Sequence, residues 1–479
     1  MRLKDKAVGP AGAAPHRRVN WGFWAWLFCA VLALVLAVLL TTAWAVRHAL
    51  SGGQRLTENQ ARLVLTVAEF PALARNAVFE LRSALGSDPS ALLLDRSATE
   101  RPYWVRQFPA PEDDGYLLFS GVDRQAKQSV VQLIRVADAA LIAQWKPDWP
   151  AIDQQTSAKK FVPKGSSSAM VPAHPLLLDQ GDIVFNTNAA LVRLGVCSAK
   201  AVWVLDHVMH HSTELDTSGA IWVPSVADDG LADNPWLRER MRDDALALVS
   251  PDGRLLEKHS VARILRDNGL QALLLGTTGF RVNEDPIHLN EIQVARNTTR
   301  HWQRGDLLVS MRHLSTVFLY RPSTRKMLWH QTGPWMNQHS VDFVDDHRIS
   351  IFDNNIVASA PSDHAFMDAN GSNRVIVHDF DTGQDSQPFA ALLAQARPRS
   401  VTGGRARILP DGGLFVEETN FGRHLRFTSD RLLWSRVNDY DAHHIGAVSW
   451  SRYLTAEEAQ APLAALAAKK CVPAADGKR

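Results

Sequence analysis

The chain reads as an all-β protein, a β-propeller of six blades, preceded by one membrane-spanning helix and a short helical stalk. Two observations predict the propeller. Many short β-rich runs alternate with turn residues from about Tyr116 onward, the pattern of a sandwich, barrel or propeller. A repeat then selects among these: three stretches each place a histidine ahead of a turn and a strand that ends in polar residues. They are His210-His211-Ser212 with Trp222-Val223-Pro224-Ser225, Ile287-His288-Leu289-Asn290 with Val309-Ser310-Met311-Arg312, and Gln338-His339-Ser340 with Phe352-Asp353-Asn354-Asn355. An uncharged run near the N-terminus predicts the membrane helix.

That run extends from Trp21 to Val46, longer than the roughly 20 residues a spanning helix needs. Trp21, Trp24, Trp26 and Trp44 lie near its ends, as in an aromatic belt. Arg2, Lys4, Lys6, Arg17 and Arg18 precede it, and Arg47 follows closely. The positive-inside rule then keeps residues 1–20 cytoplasmic and sends everything after about residue 47 across the membrane. The expected location is a bacterial inner membrane, with the propeller periplasmic or extracellular. Ala43-Trp44-Ala45 resembles a signal-peptide cleavage site, which leaves a cleaved segment as the alternative.

Residues 47–110 read as stalk and linker. After the polar spacer Ser51-Gly52-Gly53-Gln54, helical spacing of apolar residues runs from Thr57 to Leu85, with Thr57 and Gln60 as a capping box and Pro71 as a kink or break. The propeller is expected over 111–455. Its strands include Tyr116–Ser120, Val130–Val136, Val317–Tyr320 and Arg374–His378, and Trp145, Trp329 and Trp434 recur in outer strands. Four strands per unit make a blade. The first and third units are the weakest. Trp236–Val249 reads as a helical insertion and Ser157–Ser168 as a loop between blades. The tail, 456–479, reads as a short helix and a frayed end.

Composition excludes some functions. A formal net charge of +2 carries no basic footprint for nucleic acid. Cys29, Cys197 and Cys471 fit no metal-binding spacing. Cys197 and Cys471 either pair outside the cytoplasm or stay as thiols. His207, His210 and His211 are close together, as are His443 and His444, without a zinc signature. No metal and no cofactor is expected, and Gly-rich phosphate loops are missing from the sequence.

The repeat also points to one site. In a hairpin, the start of the first strand and the end of the second share one end. His288 therefore meets Arg312, and His339 meets Asp353, Asn354 and Asn355. Rotation of blades about one axis brings these ends to a single mouth. Arg405 or Arg407 with Glu417, Glu418 and Asn420 form a further copy, and His210, His211 and Ser225 the earliest. Histidine there serves as acid, base or nucleophile, and arginine grips planar oxyanions. The alternative role for such residues is to close turns and tie blades together.

Asp285-Pro286-Ile287-His288-Leu289-Asn290, Leu308-Val309-Ser310-Met311-Arg312-His313, Gln338-His339 and Phe352-Asp353-Asn354-Asn355 resemble the core motifs of bacterial arylsulfotransferases, which use no adenylyl-sulfate donor. The resemblance is best over 280–435. It implies a six-bladed, usually periplasmic propeller that moves a sulfuryl group from an aryl sulfate to a phenol acceptor through a sulfohistidine. It also implies catalytic roles for His288, Arg312 and His339, with Asn290, Asp353, Asn354, Asn355, His211, Glu417, Asn420 and Arg423 as substrate-binding candidates. Asn354-Asn355-Ile356-Val357 departs from the family's Gly-rich stretch ending in arginine, and the nearest arginine here is Arg374. The family's sulfate-carrying histidine comes from a later blade, where this chain offers His424, His443 and His444. If none serves, His339 is the remaining nucleophile. The anchor suggests an envelope substrate or envelope protein partners. The alternative function is a non-catalytic scaffold or a binder of anionic glycans.

Overall fold

The computed structural model describes residues 21–50, most of 55–70, 92–157, 171–228 apart from 197, residues 234, 237 and 238, then 241–276, 283–359, 365–367 and 371–469. The cytoplasmic segment 1–20, the spacer 51–54, Pro71, most of the loop over 157–168, Cys197, and the end of the tail with Cys471 lie outside the described residues. The chain divides into two compact units, 1–78 and 79–479.

In the first unit, Trp21–Leu50 is one helix of 30 residues. It is long and apolar enough to cross a membrane, and it fits a single-pass anchor. The capping box also forms. Thr57 N–H donates to Gln60 Oε1 at 2.9 Å, and Gln60 N–H donates to Thr57 Oγ1 at 3.3 Å.

The second unit holds six antiparallel four-stranded sheets, the blades of a six-bladed propeller. Blade one joins Arg452–Leu454 to Tyr116–Asp123, Gln128–Arg135 and Leu141–Trp145. Its innermost strand thus comes from the far end of the chain, and Tyr116, Leu117 and Leu118 pair with Leu454, Tyr453 and Arg452. The innermost strands of blades two to six are Ala173–Leu177, Glu214–Leu215, Leu289–Val294, Val341–Phe343 and Arg405–Ile408. This closure leaves no open edge between the first and last blades.

Apolar side chains fill the wedges between blades. Leu118, Val131 and Trp145 of blade one pack on Ile183, Phe185 and Val192 of blade two. Each such side chain stabilises the fold by about 1.5–3 kcal/mol. Asp244–Val249, expected as the end of a helix, is instead a central strand paired to Ile221–Val226 and Leu255–Ser260. Its Ala and Leu residues favour helix, but two neighbours claim its backbone groups, and tertiary pairing overrides propensity.

Within the interval read as stalk, Leu93–Asp95 pairs with His444–Gly446. Gln107 bridges to Ser435 of blade six. These residues belong to the propeller's outer wall. The expected tail helix forms over Ala456–Ala468, with Thr455 and Glu458 as its capping box.

Candidate active site

The innermost strands start at one mouth. Just before or at that start, each blade holds a residue in the left-handed region. These are His174 (φ 48°), His211 (58°), His288 (50°) and Trp450 (53°), with Asn337 in blade five and Gly403 and Gly404 in blade six. Such φ values are uncommon for bulky residues. The kink lies before or at the start of the strand and brings the rings together. His174 stacks on Trp450 with centroids 4.4 Å apart, and His211 lies 5.7 Å from Trp450 and 5.1 Å from His288. His288 lies 4.3 Å from His313, and His339 6.4 Å from Trp450.

The hydrogen bonds fix proton positions. Asp285 Oδ2 accepts from His288 Nδ1 at 2.5 Å, so the proton is on Nδ1 and Nε2 is left for chemistry. Burial works to raise Asp285, yet the His288 bond and charge hold it below the usual carboxylate value. Asn354 Nδ2 donates to Ser400 O and Gly403 O, so its Oδ1 is an acceptor, and His339 Nδ1 donates to it at 2.6 Å. His339 Nε2 accepts from Gly403 N–H at 2.7 Å. His339 is therefore a neutral imidazole with its lone pair on Nε2. Burial, then the charge of Arg312, push it well below the usual histidine value. Burial likewise pushes His174 and His211 well down.

Arg312 is 4% exposed. Its Nη1 donates to His313 Nε2 at 2.7 Å, while Nε and Nη2 are buried without a partner among the described residues. Those two donors form one edge of the guanidinium, the edge that binds two oxygens of an oxyanion at once. Burial lowers its pKa from the usual arginine value.

The structure thus brings together His211, His288, Arg312 and His339. The other expected substrate contacts bond to neighbouring backbone and side chains, although Asn290 Oδ1 and Asn355 Oδ1 are buried without a partner among the described residues. Asp353 accepts from Met336 N–H and Asn355 N–H and pairs with Arg374. Asn355 donates to Ser372 O and Asn290 to Gln338 O. Glu417 accepts from Trp450 N–H at 2.6 Å and Ser451 N–H at 2.5 Å, tying blade six to the closing strand. Asn420 accepts from Val401 N–H and Thr402 N–H, and Arg423 pairs with Glu418 at 2.6 Å over the Trp104 ring. Asn420 thus ties down the loop that leads to Gly403, and Arg423 lies against Trp104 of the outer wall.

The later-blade histidines are also elsewhere. His424 is buried on Phe119 and Phe415, and His444 sits in the strand that pairs with Leu93–Asp95.

Sequence reasoning missed His174, Asp285, His313 and Trp450 as site residues. Ala173-His174-Pro175 carries the same histidine signal at a strand start, and Trp450 occupies that position just before Arg452–Leu454, a strand remote in sequence from the rest of its blade.

Asp285, His288 and His313 also place three ligand atoms within 4.8 Å of one another. Here Asp285 already holds His288, and both His313 nitrogens are bonded, Nδ1 to Asp285 O and Nε2 to Arg312. The adjacent guanidinium opposes a cation as well.

The family model for arylsulfotransferase (ASST) matches residues 179–438, more than half of the chain and all four motifs that surround the ring. No curated protein matches the chain. Among solved structures, a protein of unknown function from Bacteroides caccae is 11% identical, covering 71% of this chain and 99% of its own, with a TM-score of 0.43. The periplasmic gluconolactonase of Pseudomonas aeruginosa is 12% identical, with the same coverages and a TM-score of 0.38. Hydrazine synthase of Kuenenia stuttgartiensis is 9% identical over 68% of this chain and 79% of its own, with a TM-score of 0.37. At TM-scores below 0.5 these three likenesses inform neither fold nor function. The family match rests on the residues themselves, and by it this six-bladed propeller belongs to the arylsulfotransferase family of transferases.

Proposed function

We propose that the protein transfers a sulfuryl group from an aryl sulfate to a phenol, by way of His339, at the ring of histidines in the propeller mouth. The observation that carries this reading is the unpartnered Nε–Nη2 edge of Arg312, buried beside imidazoles whose proton positions are set. A desolvated, two-donor edge suits the equatorial oxygens of a sulfuryl group, whose charge persists through transfer.

In the first half-reaction His339 Nε2 attacks sulfur and the bond from sulfur to the aryl oxygen breaks. His288 enters the cycle doubly protonated, its Nδ1–H held by Asp285, and gives its Nε2 proton to the leaving oxygen, becoming the neutral imidazole. The Gly403 N–H that His339 Nε2 now accepts is released to a sulfuryl oxygen. Asn354, which holds the Nδ1 proton, steadies the positive charge of the sulfated ring. In the second half the acceptor phenol returns its proton to His288 and attacks sulfur, regenerating His339. His211 and Trp450 flank the aryl ring. The N-terminal helix anchors the enzyme, with residues 1–20 cytoplasmic and the propeller in the periplasm or outside the cell, facing envelope phenols.

The test is single turnover with 4-nitrophenyl sulfate and no acceptor. A burst of one equivalent of 4-nitrophenol, with labile sulfate on the peptide carrying His339 by mass spectrometry, is the expected result. A burst that survives His339→Ala, or sulfate found on a different histidine, removes His339 from the role; no phenol release at all removes the transferase reading.

A further inference from the structure

A second cluster of cations lies on the same end of the propeller, outside the ring. Residues 99–104 of the outer wall, the start of the third strand of blade five (Arg374–Asp379) and the Ala390–Ala396 helix enclose a cleft of about 560 Å³. That size is within the roughly 300–1,000 Å³ of small-molecule sites. Arg101, Arg397 and Arg399 line it, together with Tyr103, Trp104 and Phe421.

Charge accounting singles out these three arginines. The nearby acids are already engaged: Asp353 by Arg374 and Glu418 by Arg423. Among the described residues no carboxylate lies within ion-pair distance of Arg101, Arg397 or Arg399. Arg397 instead lies over the Tyr103 ring at 5.1 Å, and Arg101 over the Phe421 ring at 6.0 Å. Tyr103 is 42% exposed, so an aromatic face and cationic heads are presented together. This pairing selects a flat ring with an anionic substituent: the ring stacks on tyrosine, and guanidinium takes the oxygens.

The cleft also adjoins the tether of His339. Asn373, in its wall, donates to Asn354 O and Ser400 O. Asn354 is the residue that holds His339, and the segment from Arg397 to Gly404 carries Arg399 on the cleft side and Gly403 on the His339 side.

We infer that this cleft is a second binding site, for an aryl anion such as an aryl sulfate, sulfonate or carboxylate, separate from the Arg312 site. It goes beyond the proposed transfer reaction, and its test reads binding alone.

The probe is naphthalene-2-sulfonate, titrated calorimetrically into the full chain in nanodiscs of zwitterionic lipid. The parent should bind two equivalents, or one in Arg312→Ala. The exposed double variant Arg397→Ala/Arg399→Ala should lose the second equivalent, its affinity falling about tenfold or more, as expected for lost hydrogen bonds to charged groups. Tyr103→Ala should weaken the same equivalent, and Arg397→Lys/Arg399→Lys should keep part of it. Isotherms of parent and double alanine variant that coincide would overturn the inference. So would loss of all binding in Arg312→Ala alone. Inorganic sulfate competing as strongly as the naphthyl probe would overturn the aryl specificity.

Discussion

Replacing Arg312 separates a group kept for chemistry from one kept for folding. Its Nε and Nη2 have no partner among the described residues, and its Nη1 serves only His313. If both free donors grip sulfuryl oxygens in the transition state, Arg312→Met loses two charge-assisted hydrogen bonds. At about 1.5–3 kcal/mol each, the loss is about 3–6 kcal/mol, or roughly 10²–10⁴ in kcat/KM at about 1.36 kcal/mol per decade. Arg312→Lys keeps the charge without the two-donor edge and should recover only part of this. Stability should move little. The lost bond to His313 is worth about 1 kcal/mol, and it is offset by no longer burying a cation that lacks an ion pair. Initial rates with 4-nitrophenyl sulfate and phenol, beside thermal unfolding of each variant, give both quantities. A rate for Arg312→Met within about threefold of the parent would refute the reasoning. So would an activity loss that merely tracks unfolding at the assay temperature.

Two further outcomes follow from the groups around the ring. His174 is buried with both ring nitrogens unpartnered among the described residues, and burial, then Arg405 and Arg452, hold its pKa well below 6.5. The unfolded chain then binds the extra proton first, so stability falls as pH drops below about 6.5 and through the window down to the folded pKa. His174→Leu should make this decline shallower by up to about 1.36 kcal/mol per pH unit, read by denaturant unfolding between pH 7.5 and 5.5; an unchanged slope counts against a neutral buried His174. Glu417 accepts the Trp450 and Ser451 amides and the Thr419 hydroxyl. Glu417→Gln turns one acceptor oxygen into a donor against these groups and should lower stability by about 1–3 kcal/mol; an unchanged melting temperature would show that blade closure does not depend on it.

The parts of this fold that were legible are those in which a whole blade is continuous in sequence. Blades four and five, with His288, Arg312 and His339, kept their spacing because the first two strands of each are joined by a single loop. Blade one did not, since Arg452–Leu454 pairs with Tyr116–Leu118 from the opposite end of the chain. Trp450 was invisible as a ring member for that reason. Asp244–Val249 misled in another way: a central strand paired on both sides is nearly all buried and loses the alternation that marks a strand at a surface. The polar strand ends are the least legible. Asp353 and Glu417 have the composition of a binding site, but a residue that satisfies backbone amides and one that meets a ligand look alike in sequence. Counting partners separates them, and that count leaves Arg312 with two donors over while Asp353 and Glu417 are engaged on both oxygens.

The backbone at the mouth carries the same distinction further. Blade six makes its kink with Gly403 and Gly404, so the turn itself needs no side chain. Blades two, three, four and one make it with His174, His211, His288 and Trp450, although a left-handed conformation costs an ordinary residue about 1–2 kcal/mol. A strain accepted repeatedly at one position, where glycine would relieve it, is the observation that motivates a test of the rings at the mouth. His211 is the case to test, because among the described residues its side chain bonds to His210 and contacts neighbouring rings but holds no backbone group. His211→Gly relieves the strain but adds about 0.5–1 kcal/mol of backbone entropy to the unfolded chain, and it removes the bond to His210 and the ring contacts with His210, His288 and Trp450. The net effect on the melting temperature should be small, within a few degrees, while transfer from an aryl sulfate should fall by at least tenfold as the aryl ring loses its flank, worth about 1.4 kcal/mol. A variant that melts far lower yet keeps its specific rate would make the kinked histidine a structural part of the blade, and the ring of side chains would lose its claim to be the site.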